Sequence, residues 1–334
     1  MMTTQGDTSD LNQAGTGVSR SDAIDAYRIL LGRLPESEAV IQYAMHYSDL
    51  SALRRAIVAS PEYRHQNPER LNNVPLDAPP MRVELHGEPE TVRRLFEHIQ
   101  QRWTKLGLEK PHWSVLSSAA YENGMTPELE TSFYDTGAAE LDILERILER
   151  AGRRAAEFHR AFEFGCGVGR LSLQLAKVFE HVVACDISAS HLALAQAMAS
   201  KTGAHNVEFR TSTVDGFGMW DTFDFWYSRI VLQHNPPPLI EAILRRALDR
   251  LEPGGLAVFQ VPTYAERYRF DLDVYVEHMS ANSEIEMHCL PQHRIFSIVS
   301  QSGCRLIEVR EDNAVDIPRY WVSNSFVVEK SAEA

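Results

Sequence analysis

From Arg160 onward, short apolar runs alternate with stretches whose apolar residues recur at helical spacing. RAFEF (160–164), HVVACD (181–186), NVEFRTS (206–212), DFWYS (224–228) and LAVFQVP (256–262) read as strands. Between them, VGRLSLQLAKVFE (168–180), SASHLALAQAMASKTG (188–203) and the stretch from Asn235-Pro236 to Arg250 read as helices, and EPGG (252–255) as a turn. Such alternation predicts an α/β fold with a mostly parallel sheet covered on both faces. Residues 263–290 interrupt the rhythm with a Tyr-, Phe- and His-bearing segment of no clear period. A helix at Gln292–Ser302, stopped by Gly303, leads into CRLIEVRE (304–311) and SNSFVVEK (323–330). With no helix between these two strands, they should pair antiparallel and complete a seven-stranded sheet.

The N-terminal part reads differently. Residues 1–18 are polar and without period, as expected of a disordered tail. Residues 19–66 carry three helical patterns with one shared apolar face, the first capped by Ser21 and the last ending at SPEYR (60–64). They predict a small all-α module, followed by a linker over 67–80 (NPERLNNVPLDAPP from Asn67). Residues 81–137 form a further helical segment, in which Leu95, Ile99 and Trp103 recur at spacing four. There PHWSVLSS (111–118) reads as a loop, and Gly137 as the residue before a helix that stops at Gly152. The main domain is expected to span 138–334.

Charge narrows the partners. Lys and Arg number 33 against 46 Asp and Glu, a formal −13. A chain this acidic lacks the broad positive field that phosphate backbones require, so nucleic acid is not the expected partner, although a local basic patch stays open. Four cysteines (Cys166, Cys185, Cys289, Cys304) stand far apart with no CxxC, which fits neither a disulfide framework nor a structural zinc site. With no secretory signal and no apolar run of membrane-spanning length, the expected location is the cytoplasm.

The strongest chemical signal is FEFGCGVGRLSLQLA, where a strand turns directly into a helix. Glycines there let backbone approach a ligand closely, and a helix start offers free N–H groups. At the end of the next strand stands Asp186, a carboxylate able to accept both ribose hydroxyls of a nucleoside. A nicotinamide fingerprint would need a third glycine where Arg170 stands. The spacing is instead E-x-G-x-G-x-G, led by Glu163. Together with Asp186, EPGG and the terminal hairpin, this spacing resembles class I S-adenosylmethionine-dependent methyltransferases over about residues 112–330. The resemblance implies a Rossmann-like fold and S-adenosylmethionine as cofactor. It implies that the methionine part lies along the turn of Gly165, Cys166, Gly167 and Gly169, that Glu163 and Arg170 are also cofactor-binding, and that Asp186 takes the ribose with Ile187 beside the adenine. It further implies that Thr213 and Val214 flank the adenine and that Ser228 faces the cofactor. Thr213 departs from the pattern, which often has an Asp there. N-terminal segments of the family commonly fold over the cofactor, which puts Tyr134 and Gly137 near it.

His234 ends SRIVLQH, the loop beyond the fourth strand, where this family's substrate and methyl group meet. It is the candidate general base; a partly buried His bonding a backbone carbonyl is the alternative. Asn235-Pro236-Pro237-Pro238 imitates an N-methyltransferase motif, but lies too far past the strand and reads better as an N-cap with Pro at the first helical position. His288 and His293, with Glu284, Glu286 or Asp312, have spacing too irregular for a metal site, so no metal is expected. The helical module, through AYRILLGRLPES and IVASPEYR, resembles small domains beside bacterial glycosyltransferases and glycan-modifying enzymes; the alternative is a generic bundle. That resemblance implies a saccharide or small-molecule hydroxyl as acceptor and a glycan-biosynthesis enzyme as possible partner. Methylation of a protein or of another nitrogen or carbon nucleophile, and a non-catalytic scaffold, are the alternatives.

Overall fold

Apolar side chains of the N-terminal helices and of Val18 before them pack together in one small cluster, built on Val18, Ala23, Leu31, Ile41, Ala44, Leu53 and Ile57. The computed structural model describes residues 17–66, 77–122, 124–281, 285–315 and 321–332. Two compact units divide the chain, residues 1–73 and 74–334. In the first, α1 (Arg20–Leu31), α2 (Glu38–Ala44), α3 (Leu50–Val58) and α4 (Pro61–Gln66) follow one another. Ser19, not Ser21, caps α1, because Asp22 stands three residues on and the two side chains and amides bond reciprocally. SPEYR does not end the run; Pro61 opens a fourth helix there. The expected tail lies outside the described residues except for Gly17 and Val18, and so does the linker up to residue 76.

The second unit is built on a seven-stranded sheet. Its strands are β1 (Arg160–Phe164), β2 (His181–Asp186), β3 (Val207–Thr211), β4 (Phe223–Ser228), β5 (Leu251–Ala265), β6 (Cys304–Asp312) and β7 (Trp321–Lys330). They lie in the order β3-β2-β1-β4-β5-β7-β6, parallel except for β7, which runs antiparallel to both neighbours. This is the α/β, Rossmann-like sheet with a C-terminal antiparallel hairpin that the sequence predicts. Strand order reverses between β1 and β4, and the crevice at their carboxyl ends is where such sheets bind ligands.

Helices cover the sheet: α5 (Pro89–Glu109), α6 (Pro111–Val115), α7 (Pro127–Arg150), α8 (Ser172–Leu175), α9 (Ala189–Thr202), α10 (Pro237–Arg250), α11 (Leu272–His278) and α12 (Gln292–Gln301). Alternate strand residues serve opposite faces. Phe162, Phe164 and Trp226 pack with Leu95, Ile99, Leu244 and Ile298 on one side, whereas Ala161, Phe225 and Tyr227 pack with Leu144 and Leu148 on the other. Among the described residues no helix is long and apolar enough to cross a membrane.

Several local expectations are corrected. PHWSV is a helical turn rather than a loop, started by Pro111. Gly137 lies inside α7, which begins ten residues earlier at Pro127 under a Thr126 cap. Only Ser172–Leu175 of the long pattern after the glycine loop is α-helical. EPGG belongs to β5, which starts at Leu251 opposite Phe223 and bulges before Leu256. Asn235 is not the cap of α10: its side-chain amide donates to the Val231 carbonyl, and Pro236 fills the cap position. The aperiodic segment 263–290 contains α11, capped by Asp271. All four cysteines are free and buried, and burial pushes every one of their thiols up from its ordinary value.

Because each unit keeps its own apolar cluster, a chain starting at Val74 is expected to show one cooperative thermal transition and the circular dichroism of a mixed α/β protein. Failure of that chain to fold would make residues 1–73 part of its core.

Candidate active site

At the carboxyl end of β1 the backbone makes a turn that only glycine accommodates. Gly165, Gly167 and Gly169 have φ of +79°, +54° and +79°. A Cβ at Gly165 would lie 2.4 Å from Val231, and one at Gly167 2.6 Å from Val115. The turn is fastened to β2. Amides of Gly165 and Cys166 donate to the Cys185 carbonyl at 2.7 and 2.9 Å. Gly167 N–H donates to Asp186 Oδ2 and Ser188 N–H to Oδ1, both at 2.8 Å. Each oxygen of this carboxylate thus keeps a lone pair, and the side chain is 11 % exposed. A carboxylate with spare acceptor capacity beside a glycine-rich turn has the chemistry to accept the hydroxyls of a nucleoside-bearing cofactor. Ile187 and Val214 pack against the same core cluster, offering apolar contact to a base, and Thr213 is exposed at the end of β3.

Three helices of the N-terminal segment close over this turn. On α7, the Tyr134 hydroxyl donates to the Val168 carbonyl at 3.0 Å, and a Cβ on Gly137 would meet the Arg170 carbonyl at 2.4 Å. On α6, Val115 lies against Gly167, while Ser114 Oγ is 2.9 Å from His191 Nε2. On α5, Gly107 leaves no room for a Cβ against Ser188 and Ser190 of the segment after Asp186.

Four other expected cofactor residues, Glu163, Arg170, Ser228 and Cys166, lie in or beside the turn, and three of them make hydrogen bonds within the protein. Glu163 is buried in β1 and accepts the Ser172 hydroxyl at 2.6 Å; burial raises its carboxyl to about 7. Arg170 donates to Thr136 of α7 at 3.2 Å. Ser228 is fully buried and donates to the Phe164 carbonyl at 3.1 Å, which ties β4 to β1. Cys166 is a buried small residue of the turn. A network not foreseen lies beside them: Glu140 of α7 accepts from Tyr227 and from Arg229, each at 2.6 Å. Its signal was available, a carboxylate inside the apolar stripe Phe133–Gly137–Glu140–Leu144.

The loop after β4 carries His234. Its Nδ1 lies 2.9 Å from the Glu286 carbonyl, which only accepts, so Nδ1 holds the proton and Nε2 a lone pair. Trp103 packs on the ring at 5.4 Å between centroids, and Gln233 Nε2 is 3.3 Å from His234 Nε2. Burial pulls the imidazole down to about 4, against the opposing carbonyl bond.

Glu286 is a hub. Its Oε1 accepts from Arg102 at 2.8 Å; its Oε2 accepts from Tyr275 at 2.6 Å and lies 3.0 Å from His288 Nε2. Burial alone would raise this carboxyl, but these bonds and the Arg102 charge hold it down at about 2. His288 Nδ1 is also engaged, 2.8 Å from the Tyr268 hydroxyl. Asp312, paired with Ser325, and exposed His293 belong to other surroundings, and Glu284 lies outside the described residues.

Residues 161–255 match the family described as Methyltransferase domain. The chain is 32 % identical over 99 residues to a ubiquinone biosynthesis O-methyltransferase of Bradyrhizobium sp. (strain ORS 278), covering 30 % of this chain and 38 % of that protein. It is 28 % identical over 121 residues to a malonyl-[acyl-carrier protein] O-methyltransferase of Bacillus cereus, covering 35 % and 42 %. The chain thus spans about two fifths of the length of these curated relatives. A crystal structure of magnesium protoporphyrin IX methyltransferase from Synechocystis PCC 6803 with S-adenosylhomocysteine superposes with a TM-score of 0.48, 18 % identity and coverage of 70 % and 98 %.

If Asp186 holds the ribose, Asp186→Ala is expected to weaken S-adenosylhomocysteine binding by about 1–3 kcal/mol in titration calorimetry. Unchanged affinity would remove Asp186 from the site.

Proposed function

From the premise that residues 161–255 make this chain a class I S-adenosylmethionine-dependent methyltransferase, we propose that it methylates a hydroxyl oxygen of a small-molecule acceptor, with His234 as general base. The cofactor, when bound, supplies an activated methyl group on a sulfonium. The Gly165–Gly169 turn and Asp186 hold that cofactor, and Ile187 and Val214 bound its base. The β4 loop, seated on Gly165 through Val231, brings His234 to the acceptor side.

The observation that carries this reading is the proton on Nδ1. Bonded to the Glu286 carbonyl, it leaves Nε2 as the basic nitrogen, on which a substrate hydroxyl would replace the Gln233 amide that now lies 3.3 Å away. An imidazole pulled down to about 4 is neutral throughout the physiological range, yet a weak base. It suits an acidic hydroxyl, such as a phenol, whose proton leaves near pH 10, better than an alkyl or sugar hydroxyl. The names of the two curated relatives, both O-methyltransferases, support oxygen as the methylated atom. A saccharide acceptor is the second reading, favoured by the helical module's AYRILLGRLPES opening.

Release of S-adenosylhomocysteine with ethyl 3,4-dihydroxybenzoate, and its absence with methyl glucoside, is the expected outcome; the reverse selects the saccharide. His234→Ala should cut turnover by about 10²-fold or more with cofactor affinity within a few-fold. The pH profile provides a sharper check. A base works while deprotonated, so turnover should hold as pH falls toward 5 and drop only as the ring protonates near 4. Half-loss near the ordinary histidine value of about 6.5 would assign the proton to another group.

A further inference from the structure

Among the described residues, three non-glycine residues have a clearly positive φ: Phe217, Ile230 and Arg267. The left-handed region is least accessible to β-branched side chains, and only Ile230, at φ +57°, is one. Phe217 is compensated by packing: its ring is buried and meets Phe96 at 6.1 Å between centroids. Arg267 is an unbranched side chain on an exposed turn. Ile230 has neither excuse. Its side chain is 42 % exposed, so an unfavourable backbone here presents apolar surface to solvent.

The surroundings enforce this conformation. Ile230 N–H donates to Gln260 Oε1 at 2.9 Å, and Gln260 is 1 % exposed. The Gln260 amide nitrogen donates in turn to Gln233 Oε1 at 3.0 Å and Ser323 Oγ at 2.6 Å. Buried amides are held where every bond is made, so the backbone at 230 is fixed by the core beneath it. On one side Arg229 is anchored to Glu140, and on the other Val231 rests on Gly165. The strained residue therefore immediately precedes Val231, the residue that packs on Gly165 of the glycine turn, and lies four residues before His234. Strain that a rigid network imposes beside a reacting centre is a pointer to function.

We propose that Ile230 is a specificity-determining contact, an apolar wall against which the ring or alkyl part of the acceptor lies while its hydroxyl meets His234. The assignment rests on the reading of the β4 loop as the acceptor side. It narrows the acceptor to molecules with an apolar face next to the methylated oxygen.

Backbone strain and substrate contact predict opposite signs for one substitution. Ile230→Gly removes the strain, so its thermal midpoint should be no lower than that of the wild type. It also removes the wall, so KM for ethyl 3,4-dihydroxybenzoate should rise about tenfold or more. Turnover at saturating acceptor should stay within about threefold, because the apolar contact is made equally in ground and transition states. Affinity for S-adenosylhomocysteine should stay unchanged. Ile230→Val, which restores the branched apolar surface, should bring KM back to within about threefold of the wild type. An unchanged KM in Ile230→Gly, or a midpoint lowered by the glycine, would overturn the proposal and make Ile230 a structural residue. A wild-type enzyme that does not methylate this probe would overturn the phenolic reading of the acceptor, and the wall with it.

Discussion

Everything at the ligand end of the sheet depends on the fastening of the glycine turn to β2. Three backbone N–H groups of the turn, together with that of Ser188 just after β2, are placed on two acceptors, the Cys185 carbonyl and the Asp186 carboxylate. Positions 165 and 167 carry no side chain, which leaves room for Val231 and Val115 against the turn. Once it is pinned, Val231, Val115 and Gly137 can approach from three directions, so the β4 loop, α6 and α7 all take their positions from it. The same carboxylate that secures the turn is the proposed ribose acceptor, which places binding capacity and local architecture on one side chain.

The second organising element is the Glu286 carboxylate, on which α5, α11 and the segment around His288 converge through Arg102, Tyr275 and His288. A buried charge is tolerable only when several donors meet it. Here those donors come from parts of the chain nearly two hundred residues apart, with Arg102 184 positions from Glu286. Its backbone carbonyl fixes the His234 ring, so the hub acts on the β4 loop without a side chain reaching it. Backbone and side chain of one residue thus join the N-terminal cover to the candidate base.

What the sequence made legible was whatever follows from local period or from a short contiguous pattern. The strand–helix alternation gave the sheet, and E-x-G-x-G-x-G with Asp186 marked the ligand end, because turn, glycines and carboxylate are dictated within a few dozen residues. Helix boundaries failed where a cap outside the apolar stripe decided them, as at Ser19 and Thr126. Ser228, Glu163 and Arg170 stand at motif positions, but the Phe164 carbonyl, Ser172 and Thr136 that they bond are set by packing and are not encoded in the motif. The Glu286 hub and the Gln260–Gln233–Ser323 network were invisible for a stronger reason. Their partners are joined only by the folded topology, and no spacing along the chain encodes them.

The four buried cysteines have a practical corollary. A thiol reacts as its thiolate, and burial suppresses both the thiolate and the approach of a reagent. The native protein should therefore behave toward maleimides as if it contained no cysteine, and one introduced at an exposed position would carry a spectroscopic probe alone. The resident thiols then serve as silent reporters distributed through the sheet unit: Cys166 and Cys185 at the glycine turn, Cys289 next to the hub, Cys304 at the start of β6. The order in which they become alkylated under mild denaturant would map which parts of that unit open first.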